Sequence, residues 1–221
     1  MPDILFIKTS SLGDVIHHMP ALTEARRRMP DARFFWLVEE AYAPLVRLHP
    51  GVSGVIATAS RRWRRRLLAP STWREIAGFR RVLRERPYDA VIDTQGLLRS
   101  ALMARLAHGR RHGYDADSIR ERAASRLYDV RHGVARDLHA IARNRILTGR
   151  ALGYAPDGAV DFGLVLDRPA TAAEPYGILL NATARPEKEW PEASWIALGR
   201  ALAARRTALV LPWGTQAERA R

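Results

Sequence analysis

The sequence has no cysteine, which excludes a disulfide framework and any thiolate metal site. Lysine is nearly absent: Lys8 and Lys188 stand against 34 arginines. A GC-rich genome writes arginine wherever a positive charge serves, so any single arginine says little about function. Long apolar runs are missing as well. No stretch approaches the roughly 20 apolar residues that span a bilayer. The first apolar run, about four residues after Asp3, is too short for a secretory signal core. The expected location is therefore the cytoplasm. The seven histidines are scattered without an H-E-x-x-H or a carboxylate cluster, so no metal centre is expected. The spacing G-x-x-x-x-G-K-[ST] is absent, which excludes a P-loop.

What is present bounds the answer from the other side. The chain has 221 residues, of which 47% are hydrophobic, enough for a sizeable core and against global disorder. A net charge of +13 fits nucleic acid, an anionic membrane face or a phosphorylated substrate.

Strand-like and helix-like segments alternate. Residues 4–9, 33–38, 52–57 and 88–93 read as short buried strands. Residues 14–28, 41–48, 72–86, 97–107 and 137–152 read as helices. That alternation predicts a parallel sheet with crossover helices. Residues 155–175, rich in Pro, Ala and Asp, read as a connector, and 160–166 within it read as coil or as an added edge strand. The pattern then restarts: strand 176–181, helix 191–204, strand 207–212. Two central strands and one complete helix cannot cover a sheet, so this second domain is expected to be cut short.

Four motifs stand where chemistry is done. Lys8-Thr9-Ser10-Ser11-Leu12-Gly13-Asp14 joins a strand to a helix at the carboxyl end of the sheet, where open α/β folds bind ligands. Asp14 there reads either as a general base or as a first-turn acid stabilised by the helix dipole. Residues 181–191 (N-A-T-A-R-P-E-K-E-W-P) form a second strand-to-helix turn. It reads as a diphosphate cradle or as an ordinary charged loop. The run 61–66 (R-R-W-R-R-R), expected in a loop, reads as a grip for phosphates, anionic membrane or nucleic acid, or as a solvated face. Trp213-Gly214 after a strand reads as a wall for a base or ribose, or as core packing.

In order along the chain stand I-K-T-S-S-L-G-D-V-I-H, V-E-E, R-R-W-R, Y-D-A-V-I-D-T-Q-G-L, H-G-x-x-H-G, A-T-x-R, K-x-W-P and L-P-W-G. Their collinear order resembles the lipopolysaccharide heptosyltransferases of glycosyltransferase family 9, and the first type rather than the second. The resemblance implies an α/β fold of the GT-B type: two Rossmann-like domains with parallel sheets, the second incomplete here. Residues 1–154 would bind the acceptor, 155–175 would link, and 176–221 would begin the donor domain.

It further implies inverting transfer of L-glycero-D-manno-heptose from ADP-heptose to Kdo of Kdo-lipid A, in lipopolysaccharide inner-core synthesis. Asp14 falls at the general base. Thr183 and Lys188 fall at the donor phosphates, with Trp213, Gly214 and Glu218 around the donor. Ser10, Ser11, Gly13, Arg61, Arg62, Arg64, Gln95, Arg120 and His139 fall on the acceptor side. No cofactor and no metal is implied. The implied partners are a nucleotide-sugar donor, an anionic lipid acceptor and the cytoplasmic face of the inner membrane, met peripherally, but not nucleic acid. Ala184 departs from the pattern where relatives often carry a second hydroxyl. The family's D-T-G-x-x-H loop lies beyond residue 221, so the 221-residue chain alone is expected to be inactive. Another nucleotide-sugar GT-B transferase, or a basic module for nucleic acid or membrane, remain the alternatives.

Overall fold

The computed structural model describes residues 1–165, 176–181, 186–214 and 216–220, with backbone alone for Pro186, Ala217 and Ala220. The chain divides into two compact units, Met1–Leu166 and Asp167–Arg221.

In the first unit the elements run β1 (Asp3–Ile7), α1 (Leu12–Ile16), α2 (Met19–Arg28), β2 (Arg33–Glu39), α3 (Ala43–Arg47), β3 (Val52–Thr58), α4 (Ser60–Trp63) and α5 (Pro70–Arg84). They continue with β4 (Pro87–Asp93), α6 (Leu98–Ala104), β5 (His108–Tyr114), β6 (Val130–His132) and α7 (Ala140–Leu152). Six strands form one sheet in the order β3-β2-β1-β4-β5-β6, and every pairing is parallel. All five residues of β1 are buried, as a central parallel strand covered on both faces requires. Its side chains alternate. Ile4 and Phe6 join a core with Met19, Leu22, Phe34, Trp36 and Leu147. Leu5 and Ile7 join another with Leu37, Trp63, Phe79, Leu83 and Met103.

Several expected boundaries move, each for a local reason. The helix expected over 14–28 is two helices broken at His17-His18, because Pro20 stands in the first turn of α2 and lacks an N–H to continue α1. Two strands, β5 and β6, were not expected. The sequence His108-Gly-Arg-Arg-His-Gly-Tyr114 has no apolar run, since this end of the sheet is only half-buried. Gly113 admits the Tyr128 ring where a Cβ would collide with it. The expected edge strand over 160–166 is not one. Through Val165 the chain is coil that lays Phe162 and Leu164 on the first core, and Leu166 lies outside the described residues. The start of the expected connector is likewise bound to this unit: the Asp157 amide donates to Glu24 at 2.7 Å, and its carboxylate pairs with Arg27 and Arg28.

In the second unit β7 (Tyr176–Ile178) and β8 (Ala208–Val210) pair in parallel across α8 (Glu192–Ala204), a βαβ unit, and α9 (Gln216–Ala220) follows. Trp190 meets Trp195 edge-on at 5.0 Å.

Candidate active site

In the first unit the strand order reverses between β1 and β4, and open α/β sheets bind ligands at that point. A polar cleft of about 160 Å³ lies there. Lys8, Asp14, Thr94, Gln95, Gly96, Tyr114, Arg120, Ala140, Arg143 and Asn144 line it.

The floor is built by the turn after β4. Buried Asp93 accepts from the amides of Gln95 and Gly96 at 2.8 and 3.3 Å and from the Tyr128 hydroxyl at 2.7 Å. Burial pushes the Asp93 carboxyl up despite these bonds. Gly96 has φ +68°, a conformation that favours glycine. Thr94 offers its carbonyl to the Lys8 ammonium at 2.8 Å, and its hydroxyl lies 3.2 Å from Nδ1 of buried His18. The Gln95 side-chain oxygen accepts from the amides of Thr9 and Ser10 at 2.9 and 3.1 Å. Gln95, expected on the acceptor side, thus also fixes the loop after β1.

That loop presents Asp14. The Asp14 Oδ2 accepts from the Ser11 amide at 2.7 Å and from the Ser11 hydroxyl at 2.9 Å, half of a capping box for α1. Its Oδ1 has no hydrogen-bond partner among the described residues. One oxygen caps the helix, as the first-turn reading expects, and the carboxylate also lines the cleft. Gly13 beside it has open space where a Cβ would stand. Burial lowers the Lys8 ammonium pKa, Asp14 and Asp93 oppose that shift, and Arg143 adds to it.

Two basic walls complete the site. Arg120 is exposed and makes no hydrogen bond among the described residues. Arg143 on α7 donates to the Ser118 carbonyl at 2.5 Å and lies 4.7 Å over the Tyr114 ring, while its Nε is buried without a partner. Arg143 and Lys8 were not singled out as site residues from the sequence. The signal was there for Arg143: Ala140, Arg143, Asn144 and Leu147 follow the spacing of one helix face, with polar residues interrupting an apolar stripe. His139 caps α7, its Nδ1 accepting from the Ile141 amide at 3.3 Å, and meets His17 edge-on at 5.2 Å.

The run 61–66, expected in a loop, begins in a helix. Buried Glu39 accepts from the Ser60 hydroxyl at 2.8 Å and the Arg61 amide at 2.9 Å, which seats α4. Arg62 pairs with Glu40 at 3.0 Å and with Glu75 at 2.8 Å, and Trp63 donates to Glu75 at 2.8 Å. These carboxylates raise the Arg62 pKa further. Arg61 reaches the Tyr42 hydroxyl at 3.4 Å, and Arg64 is exposed with no side-chain hydrogen bond among the described residues. Of the three arginines of this run expected on the acceptor side, Arg62 is neutralised within the fold, and Arg61 and Arg64 keep charge to offer.

On the donor side, Thr183 and Ala184 lie outside the described residues. Lys188 is exposed in the turn Pro186–Lys188 that leads into α8. The Gly214 amide donates to Glu218 at 2.7 Å, and Arg219 lies 5.1 Å over the half-exposed Trp213 ring. Glu218 thus closes the start of α9. Among the described residues no group of three or more His, Asp or Glu is arranged to hold a metal ion.

Comparison with known proteins agrees with this architecture. Residues 76–221 match the family model of Glycosyltransferase family 9 (heptosyltransferase). The chain is 41% identical to lipopolysaccharide heptosyltransferase 1 of Salmonella typhimurium, over 99% of this chain and 70% of that protein. It is 44% identical to the protein of that name from Pseudomonas aeruginosa, over 99% of this chain and 62% of that one. The structure of E. coli heptosyltransferase WaaC with ADP-2-deoxy-2-fluoro heptose superposes with a TM-score of 0.91. That match has 41% identity and covers 98% of this chain and 70% of that one.

Proposed function

The chain belongs to glycosyltransferase family 9, the heptosyltransferases, and from that premise we propose that it moves L-glycero-D-manno-heptose from ADP-heptose to Kdo of Kdo-lipid A. The observation that carries this reading is Asp14. Its carboxylate lines the cleft at the switch point, tied through one oxygen and open through the other. Asp14 takes the proton of the acceptor hydroxyl as that oxygen attacks the anomeric carbon. The bond to ADP breaks in the same displacement, the diphosphate leaves with the electron pair, and the configuration inverts.

Lys8, Arg120 and Arg143 place three cations beside one half-buried carboxylate in the same cleft, which suits an acceptor sugar acid. Arg61 and Arg64 add charge for its phosphates, while Ser10, Ser11, Gly13 and Gln95 shape the loop that carries Asp14. His139, expected at the acceptor, is assigned to capping α7 near the rim. Thr183 and Lys188, with the amides at the start of α8, stabilise the departing diphosphate, whose low basicity needs charge rather than a general acid. Trp213, Gly214 and Glu218 are assigned to the adenosine side. The scheme uses no metal. Among the described residues no helix is long and apolar enough to cross a membrane. We assign the protein to the cytoplasmic face of the inner membrane as a peripheral enzyme, since its acceptor is a lipid.

The test is release of ADP from ADP-heptose by the purified protein at the full length of its relatives. Release should depend on Kdo-lipid A. Release that ignores the acceptor, or that occurs with another nucleotide sugar in preference, would refute the assignment.

A further inference from the structure

We propose that the turn between α4 and α5 is a membrane-seating knuckle, in which Leu67, Leu68 and Trp73 enter the headgroup boundary of an anionic bilayer while arginines around them pair with lipid phosphates. This deepens the peripheral-membrane assignment above and rests on it.

The apolar part is unusual for a surface turn. Leu68 is 100% exposed, Trp73 58% and Leu67 50%. An isolated exposed leucine needs no explanation, but Leu67 and Leu68 on the turn and Trp73 in the first turn of α5 make three large exposed apolar groups in one short segment. They are held together by the fold. The Trp73 indole donates to the Leu67 carbonyl at 2.9 Å, which satisfies its one polar atom and leaves the ring as an apolar face. The backbone is ordered on both sides, with Arg66 N to Trp63 O at 2.9 Å, Ala69 N to Arg66 O at 3.0 Å and Thr72 N to Ala69 O at 2.9 Å. Pro70 opens α5. Buried Trp63 and Thr72 anchor the two ends in the fold, so the exposed residues project from a fixed base.

Charge decides the partner. Residues 60–84 hold nine arginines and one carboxylate, Glu75. Glu75 is held by Arg62 and Trp63 and also feels the charge of Arg66, while Arg64, Arg65 and Arg74 make no ion pair among the described residues. Thr72, Phe79 and Leu83 turn inward on α5, and Trp73, Ala77, Arg80 and Arg84 follow the spacing of another face. Leucine and tryptophan at the tip with arginine around them is the composition of an interfacial element. Guanidinium groups hydrogen-bond phosphate in pairs. Leu68 stands fully exposed between the two helices, which suits insertion between headgroups.

The experiment is sedimentation of the full chain with vesicles of phosphatidylethanolamine and phosphatidylglycerol, and with phosphatidylcholine vesicles as the neutral arm. Neither donor nor acceptor is added to these two arms, and a third arm carries Kdo-lipid A in phosphatidylcholine. The wild-type protein should bind the anionic vesicles and not the neutral ones. Leu68→Glu with Trp73→Ala should lower that partition by roughly tenfold or more, each lost apolar group counting in the exponent. Arg65→Gln with Arg66→Gln should remove the preference for anionic lipid. An unchanged melting temperature shows that the variants fold, as exposed positions allow. Wild-type protein that ignores anionic vesicles overturns the peripheral assignment itself. Wild-type binding that the Leu68 and Trp73 changes leave intact overturns the knuckle alone. Binding only to vesicles carrying the acceptor lipid also overturns it, and shows that the turn grips acceptor acyl chains instead.

Discussion

Lys8 is a buried ammonium, a costly group unless charge and hydrogen bonds compensate it. The Thr94 carbonyl and the fields of Asp14 and Asp93 do so. Arg143 is compensated less completely. Its guanidinium is aligned by Ser118 and Tyr114, yet Nε is buried and unpaired. Arg143 lines the cleft, where an anionic ligand would add the hydrogen bonds that its guanidinium lacks. A charge-assisted hydrogen bond is worth about 1.5–3 kcal/mol, so Arg143→Gln should raise the acceptor KM by roughly 10- to 100-fold and leave the donor KM unchanged. Steady-state kinetics with each substrate varied in turn checks this. A rise in the donor KM would remove Arg143 from the acceptor side.

Among the elements, the V-E-E sequence at the end of β2 explains the run of arginines after β3. Glu39 seats α4 through Ser60 and Arg61, and Glu40 holds Arg62. The arginines therefore divide by role. Arg61→Gln with Arg64→Gln should raise the acceptor KM and flatten its salt dependence, because both charges face solvent. Arg62→Gln should instead lower the melting temperature with little change in salt dependence. Kinetics across an ionic-strength series separates the two, and identical behaviour of all three arginines would contradict the division. The sequence could not show this, since Glu39, Glu40 and Glu75 lie on other elements and meet Arg61 and Arg62 only in the fold. The central strands were legible because both faces of β1, β2 and β4 are covered and their runs are apolar. The edge pair β5 and β6 was not, because half-buried strands there carry Arg111, Arg131, His112 and His132. The cleft was half legible. The β1 turn is a contiguous motif, whereas Arg143 comes from a helix more than a hundred residues later.

For the whole molecule, the histidines make stability depend on pH. His112 and His132 stack on adjacent strands with ring nitrogens 3.1 Å apart. Burial, the neighbouring His132 and Arg110 push His112 down to about 4, and burial lowers His18, His49 and His132 too. These rings are neutral in the folded protein and take up protons near pH 6.5 when it unfolds. Each contribution is complete above about pH 6.5 and is lost as the pH falls through that ring's lowered folded value, about 4 for His112. The melting temperature should therefore drop by a few degrees or more between about pH 7.5 and 5, and less steeply in His112→Asn. Calorimetry across that range checks it, and a flat profile in the unaltered protein would contradict it.

The account turns on Asp14 as the group that takes the acceptor's proton. The most direct measurement pairs turnover with donor binding in Asp14→Asn, which can still accept from Ser11 but has lost its basic oxygen. Turnover should fall by about 10²–10⁴-fold, the usual cost of a missing general base, while the donor dissociation constant from calorimetry stays where it was. A folded Asp14→Asn protein that transfers heptose at close to the normal rate would leave Asp14 as a helix cap and nothing more.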